Sequence, residues 1–434
     1  MTHQQILADI GVAVPDILLP APGADLRRWA VVACDQFTSQ PEYWSRLATE
    51  IGDAPSTLHL IYPEVYLGEP DPGARIARIN DTMRDYLERG LLQTLPESFI
   101  LVRRQSESGA VRWGLMVAID LEAYDYSPGS RSLVRATEGT ILDRIPPRKR
   151  IRQDAPLELP HIMVLISDPG RSVIEPLTSQ TDRLTQVYDT DLVAGGGHIT
   201  GWAVSDPADL AQVAQALAGL HHQLDPANPL LFAMGDGNHS LATAKSCWED
   251  VKAGLDEAER AQHPARYALV ELENIFDPGL DFEPIHRVLF ATSRDAFETE
   301  LARHCAGFVR EPVPDLDTLL AALETTGEQA FGTACGDELD VYVVQQPQAS
   351  IAAGTLQRVI DALAAEGHEV DYIHGADVTA ELAGDEANLG LFLPEVSKKT
   401  FFASLVADGA LPRKTFSIGQ AAEKRYYLEA RAIR

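Results

Sequence analysis

The feature that most constrains the fold is an abrupt change of residue type between Leu230 and Lys245. The apolar run Leu230–Met234 has the composition of a buried strand, and it stops at the sequence Gly-Asp-Gly. The residues from Leu241 onward have the composition of a helix. We therefore predict a buried strand that runs through a glycine turn directly into a helix.

This turn has a chemical use. Glycine lets the backbone approach a ligand closely, and the start of a helix presents N–H groups and a positive dipole end that favour phosphate. Asp236 adds a carboxylate, and His239 and Ser240 add side-chain donors. A second interpretation is a tight turn in which Asp or Asn caps the helix, and the spacing alone does not separate the two. The sequence matches neither a Walker A loop nor a GxGxxG motif.

Composition excludes several classes of protein. Of the 434 residues 45% are hydrophobic, which supports a folded core, and the formal net charge is −28. Such a charge repels phosphate backbones and anionic membranes, so we expect no nucleic-acid partner and no membrane partner. The charge and the residues after the glycine turn, where no helix-turn-helix is evident, also argue against a ParB-like DNA-binding role.

The sequence favours a cytoplasmic protein. Its start lacks a basic segment followed by a sustained apolar stretch, so we expect no signal peptide. No apolar run reaches the roughly 18 residues that a membrane-spanning helix needs. The four cysteines are scattered and form no CxxC pair, so disulfides and structural zinc are not indicated. Oligomeric state is left open.

Strands and helices alternate without a regular βαβ rhythm, which indicates a mixed α+β fold rather than a doubly wound parallel sheet. We predict three parts, an N-terminal α/β part (1–125), a central core (126–265) and a C-terminal α/β part (266–434). The predicted strands are Trp29–Ala33, Leu58–Tyr62, Phe99–Arg103, Val111–Ile119, His161–Ser167, Ile199–Val204, Tyr267–Leu272 and Val341–Gln345. The predicted helices are one capped by Ser39 with Pro41 in its first turn, then Ile76–Leu87, Leu210–Leu220, Asp295–His304, Thr318–Glu324 and Leu356–Ala365.

Several segments resemble one family in the order in which they occur. "MGDGNHSLATAK" resembles the "DGHHR" signature of the uncharacterised DUF1015 family, and "RSLVRATEGTILDRIPPRKR" resembles its "I-x-x-H-E-x-T" segment. "FEPIHRVLF" and "LPRKTF" resemble its "L-P-x-H-R-L-L" and "M-P-P-K-S-T" segments, and "WAVVACDQFTSQPEYW" resembles the opening of one branch. The signature in turn resembles the phosphate loops of the ParB/sulfiredoxin superfamily, which includes free-serine kinases that use ADP or ATP. The resemblance implies a ParB/sulfiredoxin-like nucleotide-binding core in the central part.

The resemblance assigns roles to individual residues. Glu138 matches the glutamate that acts as catalytic base in the serine kinases, and Asp236, Gly237 and His239 match residues of the DGHHR loop. Two positions depart from that loop, because Asn238 stands in place of its first histidine and Ser240 in place of its arginine. A serine cannot clamp phosphate as an arginine fork does, so phosphate neutralisation at this position is in question.

The basic segment "RIPPRKR" is the densest basic patch of the chain. Its residues Arg144, Arg148, Lys149 and Arg150 can replace the missing arginine, or they can form a solvated basic loop. Lys414 in "LPRKTF" has the same two interpretations, a phosphate contact or a surface residue.

The resemblance thus implies phosphoryl transfer from ATP or ADP to the hydroxyl of a small metabolite, with a serine-like acceptor as the first choice. Glu138 is the expected base, and Asp236 is expected to bind Mg²⁺ or orient the acceptor. The alternative is a non-catalytic nucleotide sensor that lost turnover with the arginine. The residues expected to hold the nucleotide are Gly235, Gly237, Asn238, His239, Ser240, Arg144 and Arg148.

Overall fold

The structure is a computed structural model that describes residues 1–327 and 329–434. These residues form two compact units. The first unit comprises Met1–Ala136, Thr140–Leu280 and Gly419–Arg434, and the second comprises Thr137–Gly139 and Asp281–Ile418. This division differs from the three consecutive parts predicted above, because strand pairing and buried charges hold residues 419–434 in the first unit.

The strands are distributed along the whole chain. They are β1 Val12–Ala13, β2 Ile17–Pro20, β3 Leu92–Leu95, β4 Phe99–Gln105, β5 Val111–Asp120, β6 Tyr124–Asp125, β7 Val134–Arg135, β8 Leu157–Glu158, β9 Met163–Ile166, β10 Thr185–Asp191, β11 His198–Val204, β12 Phe232–Asp236, β13 Tyr267–Asn274, β14 Phe282–Phe290, β15 Gly307–Val313, β16 Ala330–Cys335, β17 Glu338–Gln345, β18 Glu369–His374, β19 Leu389–Phe392, β20 Phe416–Ile418 and β21 Arg431–Ala432.

The α-helices are α1 His3–Ala8, α2 Leu26–Trp29, α3 Pro41–Ile51, α4 Pro72–Glu88, α5 Ile145–Arg152, α6 Glu175–Thr178, α7 Pro207–His222, α8 Asn238–Lys252, α9 Glu257–Gln262, α10 Arg294–Leu301, α11 Leu316–Thr326, α12 Ala352–Ala365, α13 Ala376–Ala383 and α14 Phe401–Asp408. Short 3₁₀ turns cover Thr57–His59, Glu64–Tyr66, Leu121–Ala123, Leu142–Arg144, Pro264–Arg266 and Ala421–Glu423. Within the described ranges no helix combines the length and the apolar character needed to cross a membrane.

The first unit is built on a mixed sheet in the order β10-β11-β4-β5-β13-β9-β12-β7-β6, with β1 paired to β5. The strands from β10 to β13 along this order are antiparallel, β13 and β9 are parallel, and β12 is antiparallel to β9 and parallel to β7. The glycine turn after β12 therefore leaves an interior strand of the sheet.

Both faces of this sheet are buried, which explains the continuous apolar runs Phe99–Val102 in β4 and Leu115–Ile119 in β5. Side chains alternate between faces along a strand. Leu101 and Val117 belong to the cluster that contains the buried faces of α7 and α8, whereas Val102 and Met116 belong to the cluster that contains α4.

The second unit contains an antiparallel sheet in the order β15-β17-β16-β19-β14-β18, with β20 paired to β14. Ala330 and Val341 pack with α11. Their neighbours Phe331 and Tyr342 stack on each other and meet Phe297 of α10 edge-on. Because successive side chains of a strand point to opposite faces, α11 and α10 cover opposite faces of this sheet.

The predicted α+β class is confirmed, as are most of the predicted elements. The strands predicted at Phe99–Arg103 and Val111–Ile119 form the antiparallel pair β4–β5, and the helix predicted at Ile76–Leu87 is the longer α4. Pro41 begins α3 as predicted, but Gln40 rather than Ser39 is the N-cap residue.

Two predicted strands are wrong. In the segment Trp29–Ala33, Trp29 ends α2 and a single bridge joins Val32 to Arg425. The segment Leu58–Tyr62 starts in a 3₁₀ turn, because the Ser56 side chain accepts a hydrogen bond from Leu58 N and caps that turn. Apolar composition is common to buried strands and buried loops, so it did not separate them.

Residues 419–434 carry charged side chains into the core of the first unit. The Arg425 guanidinium donates to Ala30 O at 3.0 Å and to Val193 O at 2.7 Å, and burial lowers the pKa of Arg425 to about 10. Arg431 donates to Glu158 at 2.7 Å, and Tyr427 donates to Glu271. These contacts satisfy the rule that a buried charge needs a partner.

One buried carboxyl in this segment gives the fold a pH dependence. Burial raises the pKa of Glu429 from its ordinary value of 4.5 to about 7, although the hydrogen bond from Tyr188 at 2.7 Å lowers it. Between these two pH values the folded state holds a proton that the unfolded state has lost, so stability falls as pH rises through this window.

We predict that Glu429→Gln stabilises the protein at high pH more than at low pH. The gain over wild type should grow from pH 4.5 to pH 7, to at most about 3 kcal/mol, because an amide keeps the hydrogen bond and cannot ionise. Denaturant unfolding of both proteins at pH 5 and pH 8 measures the difference in unfolding free energy between variant and wild type at each pH. Equal differences at the two pH values would contradict the prediction.

Candidate functional site

The structure places the glycine turn where the sequence predicts it. β12 ends at Asp236, Gly237 adopts a left-handed conformation with φ 81°, and α8 begins at Asn238. A Cβ at Gly237 would lie 3.1 Å from Ile162 Cγ1, so the site favours glycine both by conformation and by space. Gly235 lies within β12, against Met163. The positive end of the α8 dipole therefore lies at the turn.

Asp236 meets a lysine that the motif does not contain. Its Oδ1 accepts a hydrogen bond from Gly237 N at 2.8 Å, and its Oδ2 lies 3.4 Å from Lys424 Nζ. The position of Lys424 is fixed by its neighbours in the chain, because its own carbonyl accepts from Ala33 N at 2.8 Å and Arg425 is buried beside it. A cation therefore stands next to the turn and comes from residues 419–434.

The first turn of α8 makes two further polar contacts. His239 Nε2 accepts a hydrogen bond from Ile141 N at 3.3 Å, which holds the basic segment against the turn. Ser240 Oγ lies 2.9 Å from His161 Nε2, and the His161 ring packs edge-on against Tyr426. Ser240, which stands where the family has arginine, thus contacts a histidine inside the first unit.

The basic segment forms α5, and its charges are mostly paired. Arg148 forms an ion pair with Glu64 in which each side chain is 14% exposed, and Lys149 Nζ lies 2.7 Å from Asp250. Burial raises the pKa of the Glu64 carboxyl, and the Arg148 guanidinium lowers it. Arg144 and Arg150 are exposed. Arg148 is therefore already neutralised by a carboxylate, whereas Arg144 lies on the surface.

A cavity of about 140 Å³ lies beside the start of α8. Ser240 and Thr243 of α8 line it together with His161, and α4 and α5 contribute Met83 and Arg148. Most of its other walls are aliphatic side chains of the first unit. This cavity connects the first turns of α8 with the core beneath the sheet.

The second unit contains Glu138 and two other segments that resemble the family. Glu138 forms an isolated parallel bridge with Leu411, and Lys414 N donates to Glu138 Oε1 at 3.1 Å. The ammonium of Lys414 lies 5.2 Å from the centre of the Tyr372 ring. The segments "RATEGT" and "LPRKTF" therefore meet at the carboxylate that the resemblance names as a base.

Arg287, from the segment "EPIHR", has no solvent exposure and lies 5.1 Å from the centre of the same Tyr372 ring. Burial lowers the pKa of Arg287 to about 10, while Tyr372 and Glu138 raise it. Its Nε and Nη2 atoms have no hydrogen-bond partner among the described residues. A buried positive charge therefore interacts electrostatically with the Glu138 carboxylate.

No group of three or more His, Cys, Asp or Glu side chains in residues 1–327 and 329–434 is arranged to hold a metal ion. Asp236 is thus a single carboxylate. One carboxylate fits Mg²⁺ when substrate phosphates provide further ligands, which is the usual way proteins hold this ion at phosphoryl-transfer sites.

Comparison with known sequences settles the family. The model of the family described as "Protein of unknown function (DUF1015)" matches residues 18–363. The chain belongs to the DUF1015 family. No curated protein matches the chain.

Solved structures that resemble this DUF1015 chain do so at low identity. A free serine kinase variant in complex with AMP has a TM-score of 0.39 and 12% identity, over 71% of this chain and 88% of the kinase. SbnI with a C-terminal truncation, from Staphylococcus aureus, has a TM-score of 0.36 and 10% identity, over 70% and 82%. A conserved hypothetical protein from Pyrococcus furiosus has a TM-score of 0.34 and 13% identity, over 70% and 90%.

Sequence reasoning missed three residues that contact predicted site residues: Lys424 and His161 in the first unit, and Arg287 in the second. Each reaches its partner from a distant part of the chain, so the local motifs carry no sign of it. The segment "EKRYYLEARAIR" does place basic residues beside aromatic ones, since Lys424 and Arg425 directly precede Tyr426 and Tyr427.

We predict that Gly237→Ala destabilises the protein by about 1–3 kcal/mol, because alanine is strained at this φ and its Cβ meets Ile162. The matched control is Gly254→Ala, just beyond α8, where φ is not positive and the nearest atom lies 3.8 Å from the added Cβ. The control should keep or slightly raise stability. Denaturant unfolding measures both, and equal stability of the two variants would refute the strain argument.

Proposed function

We propose that this DUF1015 protein binds the phosphates of ATP or ADP at the GDGNHS turn and transfers a phosphoryl group to the hydroxyl of a small metabolite. Free serine or a related hydroxy compound is the first acceptor to test. One observation carries the proposal: the left-handed Gly237, the start of α8 and the Lys424 ammonium come together at a single loop. Each of these three features favours a bound phosphate.

Lys424 can supply the positive charge that is lost where Ser240 replaces the family arginine. The family arginine would supply a positive charge at the turn, and here Lys424 supplies one from residues 419–434. A lysine acts on phosphate as a point charge and not as a two-pronged fork, so its geometric demands are looser. Arg148 is less suited to this role because its ion pair with Glu64 is closer and more buried than the pair that Lys424 forms with Asp236 at 3.4 Å.

Asp236 is the residue that would hold Mg²⁺. When bound, Mg²⁺ neutralises charge on the transferring phosphates. In its absence Lys424 balances the Asp236 carboxylate at 3.4 Å. The hydrogen bond from Gly237 N keeps Oδ1 of this carboxylate oriented along the turn.

Glu138 is the proposed general base. Its carboxylate would take the proton of the acceptor hydroxyl while the hydroxyl oxygen bonds to the transferred phosphorus and the bond to the nucleotide leaving group breaks. The hydrogen bond from Lys414 N orients the carboxylate, and the buried charge of Arg287 interacts with it electrostatically. The second candidate function is a sensor that binds nucleotide without turnover, which the serine at position 240 favours.

We predict that millimolar ATP or ADP with Mg²⁺ raises the melting temperature and that Lys424→Gln reduces this effect. A nucleotide at about 100 times its Kd stabilises a protein by roughly 2.7 kcal/mol, which a thermal-shift assay detects. Loss of one charge-assisted contact should weaken binding by about 10- to 100-fold.

Arg144→Ala is the control for Lys424→Gln, and Arg148→Ala tests α5 as the source of the cation. If Lys424 is the phosphate cation, Arg144→Ala should retain wild-type affinity to within a few-fold. Weaker binding in Arg148→Ala with unchanged binding in Lys424→Gln would transfer the role to α5. Melting temperatures of wild type that do not respond to ATP, ADP, GTP or CTP would reject nucleotide binding altogether.

We also predict that Glu138→Gln lowers turnover by about 10²- to 10⁴-fold and leaves nucleotide affinity within a few-fold of wild type, since glutamine keeps the shape but accepts no proton. Product analysis with serine and related acceptors measures turnover. Asp236→Asn is the contrasting variant, because a change at the phosphates should reduce both binding and turnover.

Equal turnover in wild type and Glu138→Gln would remove Glu138 as the base. Nucleotide binding by wild type without phosphorylation of any acceptor would favour the sensor function. These two results can be told apart, because equal turnover requires kinase activity in the wild type and the sensor result requires that the wild type has none.

A further inference from the structure

We propose that the cavity beside the start of α8 binds the heterocyclic base of the nucleotide whose phosphates lie at the GDGNHS turn. This inference rests on the proposed function and adds the site of the base to it. The cavity is defined here by Cys34, Met83, Arg148, His161, Ser240 and Tyr426, which are among its lining residues.

The position of the cavity is the first argument. Ser240 and Thr243, which line it, lie in the first two turns of α8, within one to two helical turns of the residue that begins the helix. One turn of helix rises only about 5.4 Å. The ribose that joins phosphate to base spans a distance of this order, so a nucleotide held at the turn can reach the cavity with its base.

The cavity is large enough for only one part of a nucleotide. Its volume of about 140 Å³ is smaller than the roughly 300–1,000 Å³ of pockets that enclose a whole drug-sized molecule. It therefore suits a single ring system, with the remainder of the ligand outside.

The charged side chains of the cavity wall have ionic partners within the protein, which disfavours a phosphate or a free amino acid as the occupant. Arg148 pairs with Glu64, and Arg152 and Arg431 both pair with Glu158, so each of the four charged side chains in the wall has a partner. Burial also raises the pKa of the Cys34 thiol, which keeps it uncharged. Among largely aliphatic neighbours, this wall favours an uncharged ligand that buries apolar surface.

One polar atom in the wall needs a partner. The Nδ1 atom of His161 is buried and has no hydrogen-bond partner among the described residues, whereas its Nε2 contacts Ser240 Oγ. A buried nitrogen without a partner is costly unless a ligand satisfies it. The ring nitrogens and amino groups of a nucleobase offer both donors and acceptors, so they can meet either tautomer of this histidine.

Calorimetric titration of the wild-type protein with ATP, tripolyphosphate and adenosine tests the inference. Tripolyphosphate keeps the charges and lacks the base, whereas adenosine keeps the base and lacks the charges. We expect ATP to bind at least about 10-fold more tightly than tripolyphosphate, because the base buries apolar surface. We also expect adenosine to compete with ATP and ribose not to compete.

Two variants locate the base. Met83→Trp fills the cavity and should weaken ATP binding at least about 10-fold, while the affinity for tripolyphosphate should stay within two-fold of wild type. His161→Phe keeps a ring against Tyr426 and removes the ring nitrogens. It should weaken ATP binding about 3- to 10-fold, because one hydrogen bond is lost. His222→Phe on the exposed end of α7 is the matched control and should leave ATP affinity unchanged.

If ATP and tripolyphosphate bind equally, and His161→Phe changes neither affinity, the cavity does not hold the base and the proposed phosphate site stands. If Met83→Trp does not fold, His161→Phe and the ligand series still decide the question. If the wild type binds none of the three ligands, the proposed function fails together with this inference.

Discussion

The burial of charged side chains from residues 419–434 is the constraint on which the first unit depends. Arg425 is 2% exposed, and its guanidinium joins the carbonyls of Ala30 and Val193, which belong to separate stretches of the chain. Removing one partner from such a buried charge costs about 3–5 kcal/mol, so these contacts strongly select one arrangement. The backbone of Lys424 is fixed as a direct result, and its ammonium is thereby delivered to Asp236.

This arrangement places a positive charge beside the turn even though one position of the family motif has changed. The arginine expected after Asn238-His239 is replaced by Ser240, which turns toward His161. The positive charge at the turn then comes from another part of the same unit. Recognition of phosphate depends on the charge and the N–H groups that surround the turn, and it does not depend on which segment of the chain supplies the cation.

Local sequence patterns predicted the secondary structure where neighbouring residues in the chain determine it. Apolar runs on either side of a short turn predicted the strands β4 and β5, and helical spacing predicted α4. These local patterns did not predict contacts between residues that are far apart in the chain. The extended segment around Val32 forms one bridge with Arg425 instead of a strand, and the partners of Asp236 and Glu138 come from residues far away in the chain. Such contacts depend on topology, which no short motif encodes.

The discontinuous first unit also has a consequence for the order of events during synthesis. Residues 281–418 form most of the second unit and are synthesised before residues 419–434, and domains generally fold as units during synthesis. The first unit, although it contains the earlier part of the chain, cannot close the core around Arg425 until that later segment arrives. Until then its sheet exposes apolar surface and the unpartnered carbonyls of Ala30 and Val193, so this interval is when the nascent chain most needs protection from aggregation.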